Sequence, residues 1–316
     1  MRFNPKARLD TSRVGDAGRG RRSGGLGGGG GGMPIPGGMR AGGGIGGVLI
    51  ILLFVVLTQC LGNGGTSLPS GSGGGLDDSR MADSQRYASC QSGEDANNSE
   101  DCARVAVENS LYDFWKDTLP AETGAQFRPA KEIVTFTAAV PTGCGQASSD
   151  VGPFYCPADE TIYQDTTFFD EVLERQLGGP SGAFVEPYVL AHEYGHHIQN
   201  VLGIMGKVKT QQGPQSDAVR LELQADCFAG RWARAASTTD DETGQALFSE
   251  LTDSDIKEAI AAATAVGDDR IQQQSGGRVN PEQWTHGSAA QRVKWFQTGM
   301  QGASIDACDT FAADDL

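Results

Sequence analysis

The stretch AHEYGHHIQN, residues 191–200, carries three of the four histidines in this chain of 316 residues. His192 and His196 are four residues apart, so on a helix their imidazoles share one face and can bind one metal ion. Glu193 projects toward the adjacent side, where a carboxylate can take a proton from a water molecule that the metal activates. This spacing therefore predicts a hydrolytic metal site rather than a random cluster.

A metal site of this kind needs a third protein ligand, and the stretch ELQAD offers one. Glu222 and Asp226 are again four residues apart on one helical face. We predict that Glu222 is the third ligand and that Asp226 accepts a hydrogen bond from the outer nitrogen of a ligating histidine. The first stretch has the H-E-x-x-H spacing of zinc metalloproteases, so the two together predict a Zn²⁺ site. Apolar neighbours in both stretches disfavour the alternatives, a polar surface helix and a solvated acidic pair.

The other two histidines have different predicted roles. His197 is adjacent to a ligand and points elsewhere on the helix, so we predict that it is structural. His286, in WTHGS, is predicted to stabilise the oxyanion of a tetrahedral intermediate, with Arg292 as a second candidate for that role. A turn residue that caps a helix is an equally open interpretation of His286.

Periodicity and turn residues predict the elements that position these side chains. The predicted helices cover residues 99–120, 167–177, 183–203, 217–236, 254–268 and 287–300, and the predicted strands cover 132–140 and a hairpin within 152–165. Pro120 is the predicted end of the first helix and Ser254 the predicted N-cap of the fifth. Gly195, inside the motif helix, indicates the close approach of another group. The fold class is α+β, mainly helical with a small sheet.

An apolar run at residues 45–61, IGGVLIILLFVVLTQCL, predicts one transmembrane helix. The alternatives are a buried core helix, a cleaved secretory signal and lipidation at Cys60, and the Gly-rich flanks disfavour the first of these. The predicted order is a Gly/Arg-rich cytoplasmic segment (1–44), the transmembrane helix (45–61), a Gly/Ser-rich linker (62–87) and the metal-binding domain (88–316). Basic residues before the run predict that this domain is extracytoplasmic.

Charge and cysteine content agree with export. The chain after the apolar run is strongly acidic, which excludes a nucleic-acid surface. Six cysteines follow Cys60, an even number that favours disulfides, although fifteen pairings are possible. We predict the pairs Cys90–Cys102, Cys144–Cys156 and Cys227–Cys308.

Four longer stretches resemble one known family. HEYGHHIQNVLG, LELQADCFAGRWA, GPFYCPADETIYQD and THGSAAQRVKWFQTG look like the membrane-tethered neutral zinc metallopeptidases, and the resemblance covers about residues 88–312 and the apolar run. It implies a zincin-like fold of the gluzincin type. Carried over by position, it implies His192, His196 and Glu222 as zinc ligands, Glu193 as general base and Asp226 behind the ligands.

The sequence thus predicts a single-pass membrane protein whose exported domain hydrolyses peptide bonds in peptide or protein substrates with a zinc-activated water. The GPFYC strand, which carries Tyr155, is a candidate to pair with an extended substrate, and a disulfide-braced hairpin with only a packing role is an equally open interpretation. One alternative is a zincin-fold interaction module that binds zinc without protease activity. Another is a structural zinc site that Cys227 approaches, because structural sites are rich in cysteine.

Overall fold

The computed structural model describes residues 1–19, 85–302 and 304–316. Its helices are α1 (Gly93–Asn98), α2 (Glu100–Thr123), α3 (Val185–Val201), α4 (Asp217–Ala235), α5 (Asp253–Ala265), α6 (Asp268–Gln274) and α7 (Ala289–Met300). Its strands are β1 (Arg2–Phe3), β2 (Val14–Arg19), β3 (Glu132–Thr137), β4 (Ala139–Thr142), β5 (Gly145–Ser148), β6 (Phe154–Cys156), β7 (Thr161–Asp165) and β8 (Phe248–Glu250). A π-helix spans Phe168–Glu174, and short 3₁₀ turns span Ser149–Val151, Ile204–Lys207, Pro281–Gln283 and Ile305–Cys308.

Side-chain caps fix where the main helices begin. Ser216 accepts a hydrogen bond from the Val219 N–H at the start of α4, and Ser288 forms a capping box at the start of α7. Helix α5 begins after Thr252, which forms a capping box with Asp255, so the predicted N-cap at Ser254 is wrong. These caps satisfy N–H groups that a first helical turn leaves without partners.

Helix α2 extends beyond its predicted end. Pro120 lies inside its last turn, and the helix ends only at Gly124, whose φ of 70° suits a residue without a side chain. The Gly124 N–H donates to the Pro120 carbonyl at 2.9 Å. Pro120 lacks an N–H donor and its ring crowds the carbonyl four residues earlier, but the residues that follow it still complete the turn.

The main sheet has the strand order β2-β3-β7-β6. Strands β2, β3 and β7 run parallel, and β6 is an antiparallel edge strand beside β7. Two-stranded sheets form from β4 with β5 and from β1 with β8. The hairpin predicted within residues 152–165 is β6 with β7, so that prediction is confirmed.

The strand predicted over 132–140 is broken at Ala138. Its φ of 74° turns the chain, so that β3 and β4 belong to different sheets. The Ala138 N–H donates to the Ser149 hydroxyl at 3.1 Å and to Asp165 Oδ2 at 3.2 Å. These long-range acceptors hold a backbone conformation that a side chain disfavours, and local β propensity does not report them.

Within the described residues three disulfides link the chain, at Cys90–Cys102, Cys144–Cys156 and Cys227–Cys308. They are the three predicted pairs, so the prediction is confirmed. The third joins α4 to the C-terminal segment, which excludes Cys227 as a metal ligand. Three disulfides favour an oxidising compartment.

Residues 1–19 pack into the same folded unit as residues 85–316. Strand β1 pairs with β8, and β2 pairs with β3. The rings of Phe3 and Phe248 lie 4.8 Å apart, and Arg13 Nε donates to Glu108 Oε1 at 2.7 Å. Glu108 is buried, so Arg13 supplies its charge partner inside the protein.

The predicted fold class needs correction. The described residues form a mixed α/β unit with three sheets rather than a mainly helical one with a small sheet. Within 1–19, 85–302 and 304–316 no helix is both long and apolar enough to cross a membrane, so the structure does not support a preceding transmembrane helix. Residues 45–61, to which that prediction refers, lie outside the described residues.

The predicted localisation is wrong for a separate reason. One crossing within 45–61 would place residues 1–19 and the metal-binding domain on opposite sides of a membrane. Strand pairing and the ion pair of Arg13 with Glu108 instead place them in one unit. A cytoplasmic N-terminus joined by a single span to an extracytoplasmic domain is incompatible with these contacts.

Candidate metal centre

The two predicted motif stretches lie on helices α3 and α4, which cross at Gly195 and Ala225. A Cβ added to Gly195 would lie 3.1 Å from both the Cα and the carbonyl oxygen of Ala225. The predicted close approach at Gly195 is therefore confirmed, and the partner is the backbone of α4. Ala225 is the small residue between Glu222 and Asp226, so small residues on both helices let the two motifs meet.

At this crossing His192, His196 and Glu222 form a buried group whose ligand atoms lie within 4.8 Å of one another. Nε2 of His192 lies 3.2 Å from Glu222 Oε2, and Nε2 of His196 lies 3.4 Å from Glu222 Oε1. Glu222 Oε1 is buried without a hydrogen bond. Such an oxygen is costly unless something else binds it. Two imidazoles and one carboxylate are a donor set that suits Zn²⁺, so the residues fit this ion.

Asp226 lies behind His192 and binds three side chains. It accepts hydrogen bonds from His192 Nδ1 at 2.8 Å, from the Tyr188 hydroxyl at 2.6 Å and from Arg292 Nε at 2.8 Å. Burial would raise the pKa of Asp226, but Arg292 and His192 lower it to about 2. The carboxylate is therefore charged at neutral pH, and it fixes the His192 tautomer that directs Nε2 toward Glu222.

Arg292 has a different position from the one that an oxyanion donor would need. Its Nε and Nη2 both donate to Asp226, at 2.8 and 3.0 Å. Its Nη1 lies 3.4 Å from the Val266 carbonyl. Arg292 thus neutralises the carboxylate behind His192.

Gln199 holds the second histidine, a role that the sequence analysis missed. His196 Nδ1 donates to Gln199 Oε1 at 2.8 Å. The Gln199 amide nitrogen in turn donates to the Leu221 carbonyl at 2.7 Å and to Gln224 Oε1 at 3.1 Å. The spacing of three residues from His196 on one helix was the available signal. Both imidazoles therefore reach the group through Nε2, each with its Nδ1 bound.

Glu193 is buried and lines the same cavity as the three candidate ligands. Burial raises the pKa of its carboxyl above the ordinary value, while His196 and His192 oppose that rise. A carboxylate with a raised pKa is a stronger base than a solvated one. Glu193 therefore lies beside the three candidate ligands, and its role as a proton acceptor stays a prediction.

His286 faces the group from the segment between α6 and α7, and it too lines the cavity. Asp268 Oδ2 accepts the backbone N–H of Thr285, His286 and Gly287, at 2.8, 2.7 and 3.0 Å. Burial lowers the pKa of His286, but Glu222 and Asp268 outweigh it, and the net pKa is raised. The structure thus places the His286 imidazole in the cavity beside the three candidate ligands and identifies Asp268, which sequence reasoning missed, as its support.

His197 lies outside the group, as predicted. Its Nε2 donates to the Arg128 carbonyl at 2.8 Å, and its Nδ1 lies 3.1 Å from the Tyr155 hydroxyl. Asn200 donates to the same hydroxyl at 2.9 Å. These contacts attach the edge strand β6, which contains Tyr155, to the motif helix α3. The GPFYC strand is therefore held beside Glu193.

A cavity of about 330 Å³ opens at the group between β6, α3 and α6. Apolar side chains make up most of its wall beyond the ionisable residues already described. The outer side of β6 has no strand partner within the described residues. An extended chain could therefore lie along β6 with its backbone close to Glu193.

Proteins from two bacteria are similar to this chain over most of its length. A protein of Mycobacterium tuberculosis (strain H37Rv) with the name "Uncharacterized protein Rv2575" is 55% identical over 229 residues, which cover 72% of this chain and 76% of the relative. "Uncharacterized protein YpfJ" of Escherichia coli (strain K12) is 37% identical over 273 residues, which cover 79% of this chain and 91% of the relative. No solved structure matches the chain.

A family model described as "Putative neutral zinc metallopeptidase" matches residues 6–311. This match confirms the family that the four sequence stretches indicate, and it does not bear on a membrane tether. It includes β2, both motif helices and the His286 segment. The chain therefore belongs to the neutral zinc metallopeptidase family.

Proposed function

We propose that this protein is a zinc-dependent peptidase in which His192, His196 and Glu222 hold Zn²⁺ and Glu193 is the general base. The observation that carries the proposal is the convergence of the three ligand atoms within 4.8 Å, beside a buried Glu193 in an open cavity. A site that only binds metal has no need of a buried carboxylate beside the three ligands. Glu222 Oε1, which is buried without a hydrogen bond, supports metal binding independently of the motif.

Zinc supplies, when bound, a Lewis acid that polarises the scissile carbonyl and lowers the pKa of water at the site. Glu193 accepts a proton from the attacking water as the water oxygen bonds to the carbonyl carbon. The same carboxyl then gives a proton to the leaving nitrogen as the C–N bond breaks. The products are a carboxylic acid and an amine, and Glu193 returns to its starting state.

The other residues orient the metal ligands and the substrate and stabilise the charge that develops on the carbonyl oxygen. Asp226 holds the His192 ring, and Gln199 holds the His196 ring. His286, which Asp268 holds in place, donates a hydrogen bond to the carbonyl oxygen as negative charge develops there. Strand β6 binds the substrate backbone as an added strand, which favours an extended peptide or protein segment.

The test compares purified full-length wild type with the Glu193→Gln variant on a peptide library. The full chain is used because residues 88–316 alone lack β1 and β2. We expect one zinc ion per chain in both proteins and a loss of about 10²-fold or more in cleavage rate for the variant. Glu282→Gln, at an exposed carboxylate, is the matched control and should cleave as fast as wild type.

Three results would contradict the proposal. Cleavage by Glu193→Gln at the wild-type rate, with zinc retained, would remove the role of the base. Loss of zinc from this variant would make Glu193 part of the metal site. If wild type and both variants bind one zinc ion per chain but none of them cleaves a peptide, an interaction module would be favoured.

A further inference from the structure

The cavity beside the metal group has a wall that the proposed chemistry does not use. Six apolar residues from separate parts of the chain line it: Val151, Phe168, Leu177, Val189, Val266 and Ile271. Val189 lies three residues before His192 on α3, so this apolar wall begins one helical turn from the metal ligands. Nothing in metal binding or proton transfer requires these side chains.

Packing on the backbone and a hydrogen bond between elements hold the residues of the wall in place. The Phe168 ring packs on the backbone of Gly152, where a Cβ would lie 2.9 Å from the ring and where φ is 78°. The Gln274 amide donates to the Leu177 carbonyl at 3.1 Å, which ties α6 to the segment after the π-helix. Helix α6 contributes Ile271 to the wall and begins with Asp268, the residue that supports His286. The apolar wall and the predicted oxyanion donor therefore belong to one packed assembly.

The charges in the cavity are all engaged. Among the described residues that line it, the ionisable ones besides tyrosine are His192, Glu193, His196, Glu222, His286 and Arg292. The first four are the ligands and the base, and the Arg292 donors are directed at Asp226. His286 Nδ1 lies 3.4 Å from Asp268 Oδ1, and its imidazole is the proposed donor to the scissile carbonyl. Among these described lining residues no guanidinium or ammonium is left for a substrate α-carboxylate, and no further carboxylate is left for an α-amine.

A chain terminus brought against the apolar wall would lose its hydration without a charge partner, which is costly. Burial of a large apolar side chain against the wall instead has a favourable free energy, because it removes apolar surface from water. We propose, on the basis of the proposed peptidase function, that the site is an endopeptidase site that cleaves internal peptide bonds next to a large apolar residue. The side chain of that residue occupies the space between Phe168, Val189 and Ile271.

The first experiment uses the zinc-loaded full chain and peptides of the form Ala-Ala-Xaa-Ala-Ala, with free ends or with acetyl and amide caps. We expect capped peptides to be cleaved at least as fast as free ones. We also expect Xaa = Phe or Leu to be preferred about 10-fold or more over Gly or Asp in kcat/KM. Cleavage that requires a free terminus, or a preference for Gly or a charged Xaa, would overturn the proposal.

The second experiment changes the wall at Val189, which is only partly buried. Val189→Asp places a carboxylate in the pocket and should shift the preferred Xaa from Phe toward Lys and Arg. Val189→Ile, the matched control, should keep the apolar preference. If Val189→Asp keeps its zinc and its Tm but retains the wild-type preference, the pocket assignment is wrong.

A third measurement separates the pocket from the peptidase function and does not depend on turnover. Zinc-loaded Glu193→Gln is titrated with acetyl-Ala-Phe-Ala-amide and acetyl-Ala-Asp-Ala-amide by calorimetry. We expect at least 10-fold tighter binding of the Phe peptide, and loss of that difference when Val189→Asp is added. If wild type cleaves nothing while this difference is present, the proposed function fails and the pocket stands. Equal binding of both peptides would overturn the pocket even if wild type cleaves.

Discussion

The carboxylate of Asp226 offers a sharp test, because two different buried groups depend on it. On one side it accepts the Nδ1 proton of His192 at 2.8 Å. On the other side it accepts Arg292 Nε at 2.8 Å and Nη2 at 3.0 Å. The Asp226→Asn substitution keeps the size and one carbonyl oxygen but removes the charge and turns one acceptor into a donor. The structure predicts separate losses on the two sides.

The larger stability loss comes from Arg292. Its side chain is 5% exposed, and Asp226 is its only salt-bridge partner among the described residues. Removal of one partner from a buried ion pair costs about 3–5 kcal/mol, because the remaining charge is desolvated without compensation. For a domain of this size, that corresponds to a decrease in Tm of roughly 6–20 °C. On the other side, loss of the group that orients His192 should weaken zinc binding by about 10- to 100-fold.

A second substitution separates these two effects. Arg292→Met together with Asp226→Asn removes the unpaired cation and fills much of its space with an apolar side chain. The double variant should recover most of the lost free energy of unfolding, since replacement of a whole buried ion pair is often close to neutral. It should not recover zinc affinity, because His192 still lacks its carboxylate. We therefore predict that the two substitutions are strongly coupled in their effect on the free energy of unfolding and almost independent in their effect on zinc affinity.

The assay measures unfolding in guanidinium chloride, with EDTA present and the disulfides intact, so that zinc binding does not add to the stability. Zinc affinity is measured separately by competition with a chromogenic chelator. The reasoning would be refuted if Asp226→Asn cost less than about 1 kcal/mol, or if the double variant were no more stable than the single one. Unchanged zinc affinity in Asp226→Asn would refute the orienting role alone.

Three further predictions concern other parts of the molecule. His286→Ala should lower turnover by about 10²-fold while zinc content stays near one ion per chain, and loss of zinc would make His286 structural. Gly299→Ala should reduce the free energy of unfolding by about 1–3 kcal/mol, because its Cβ would overlap a carbonyl oxygen of α4, whereas Gly206→Ala, which meets open space, should be close to neutral. Burial and the charge of Asp241 raise the pKa of Asp113 from 3.8 to about 7, so the folded state holds an extra proton between these pH values and loses stability as the pH rises through them. Asp113→Asn should therefore gain in Tm over wild type from pH 4 to pH 8, and a constant difference would contradict the shift.

Much of the site could be predicted from the sequence because it depends on short-range helical geometry. His192 and His196, and then Glu222 and Asp226, each lie one helical turn apart, so each pair shares a face whatever the fold. Gly195 even indicates where the two helices touch. The disulfide pairs were also predictable, since two of them close short loops of 12 residues. In these cases the spacing along the sequence already determines which side chains lie next to each other in the structure.

The supports of the site could not be predicted in the same way. Asp268 accepts hydrogen bonds from three backbone N–H groups that lie 17 to 19 residues later in the sequence. No sequence pattern near Asp268 or near those three residues indicates the contact. Arg292 lies 66 residues after Asp226 in the sequence and donates a hydrogen bond to its carboxylate. The guanidinium therefore neutralises Asp226, whereas the sequence analysis had suggested Arg292 as a candidate oxyanion donor. Ala138 adopts a positive φ because distant groups accept its N–H. Each of these depends on which elements become neighbours, which periodicity does not encode.

The N-terminal segment shows the physical limit of charge counting. Its basic residues predict a cytoplasmic position only if they are solvated, because the rule concerns charges that stay in loops. Arg13 is not solvated in that sense: it donates to Glu108, a buried carboxylate on α2. The adjoining strand β2 contains two glycines in six residues and gives almost no β signal, yet it pairs in parallel with β3. A count treats Arg13 as one more positive charge, whereas the fold uses it to neutralise Glu108 and hold the segment against the sheet. The same residue that favours one membrane orientation in the sequence therefore argues against it in the structure.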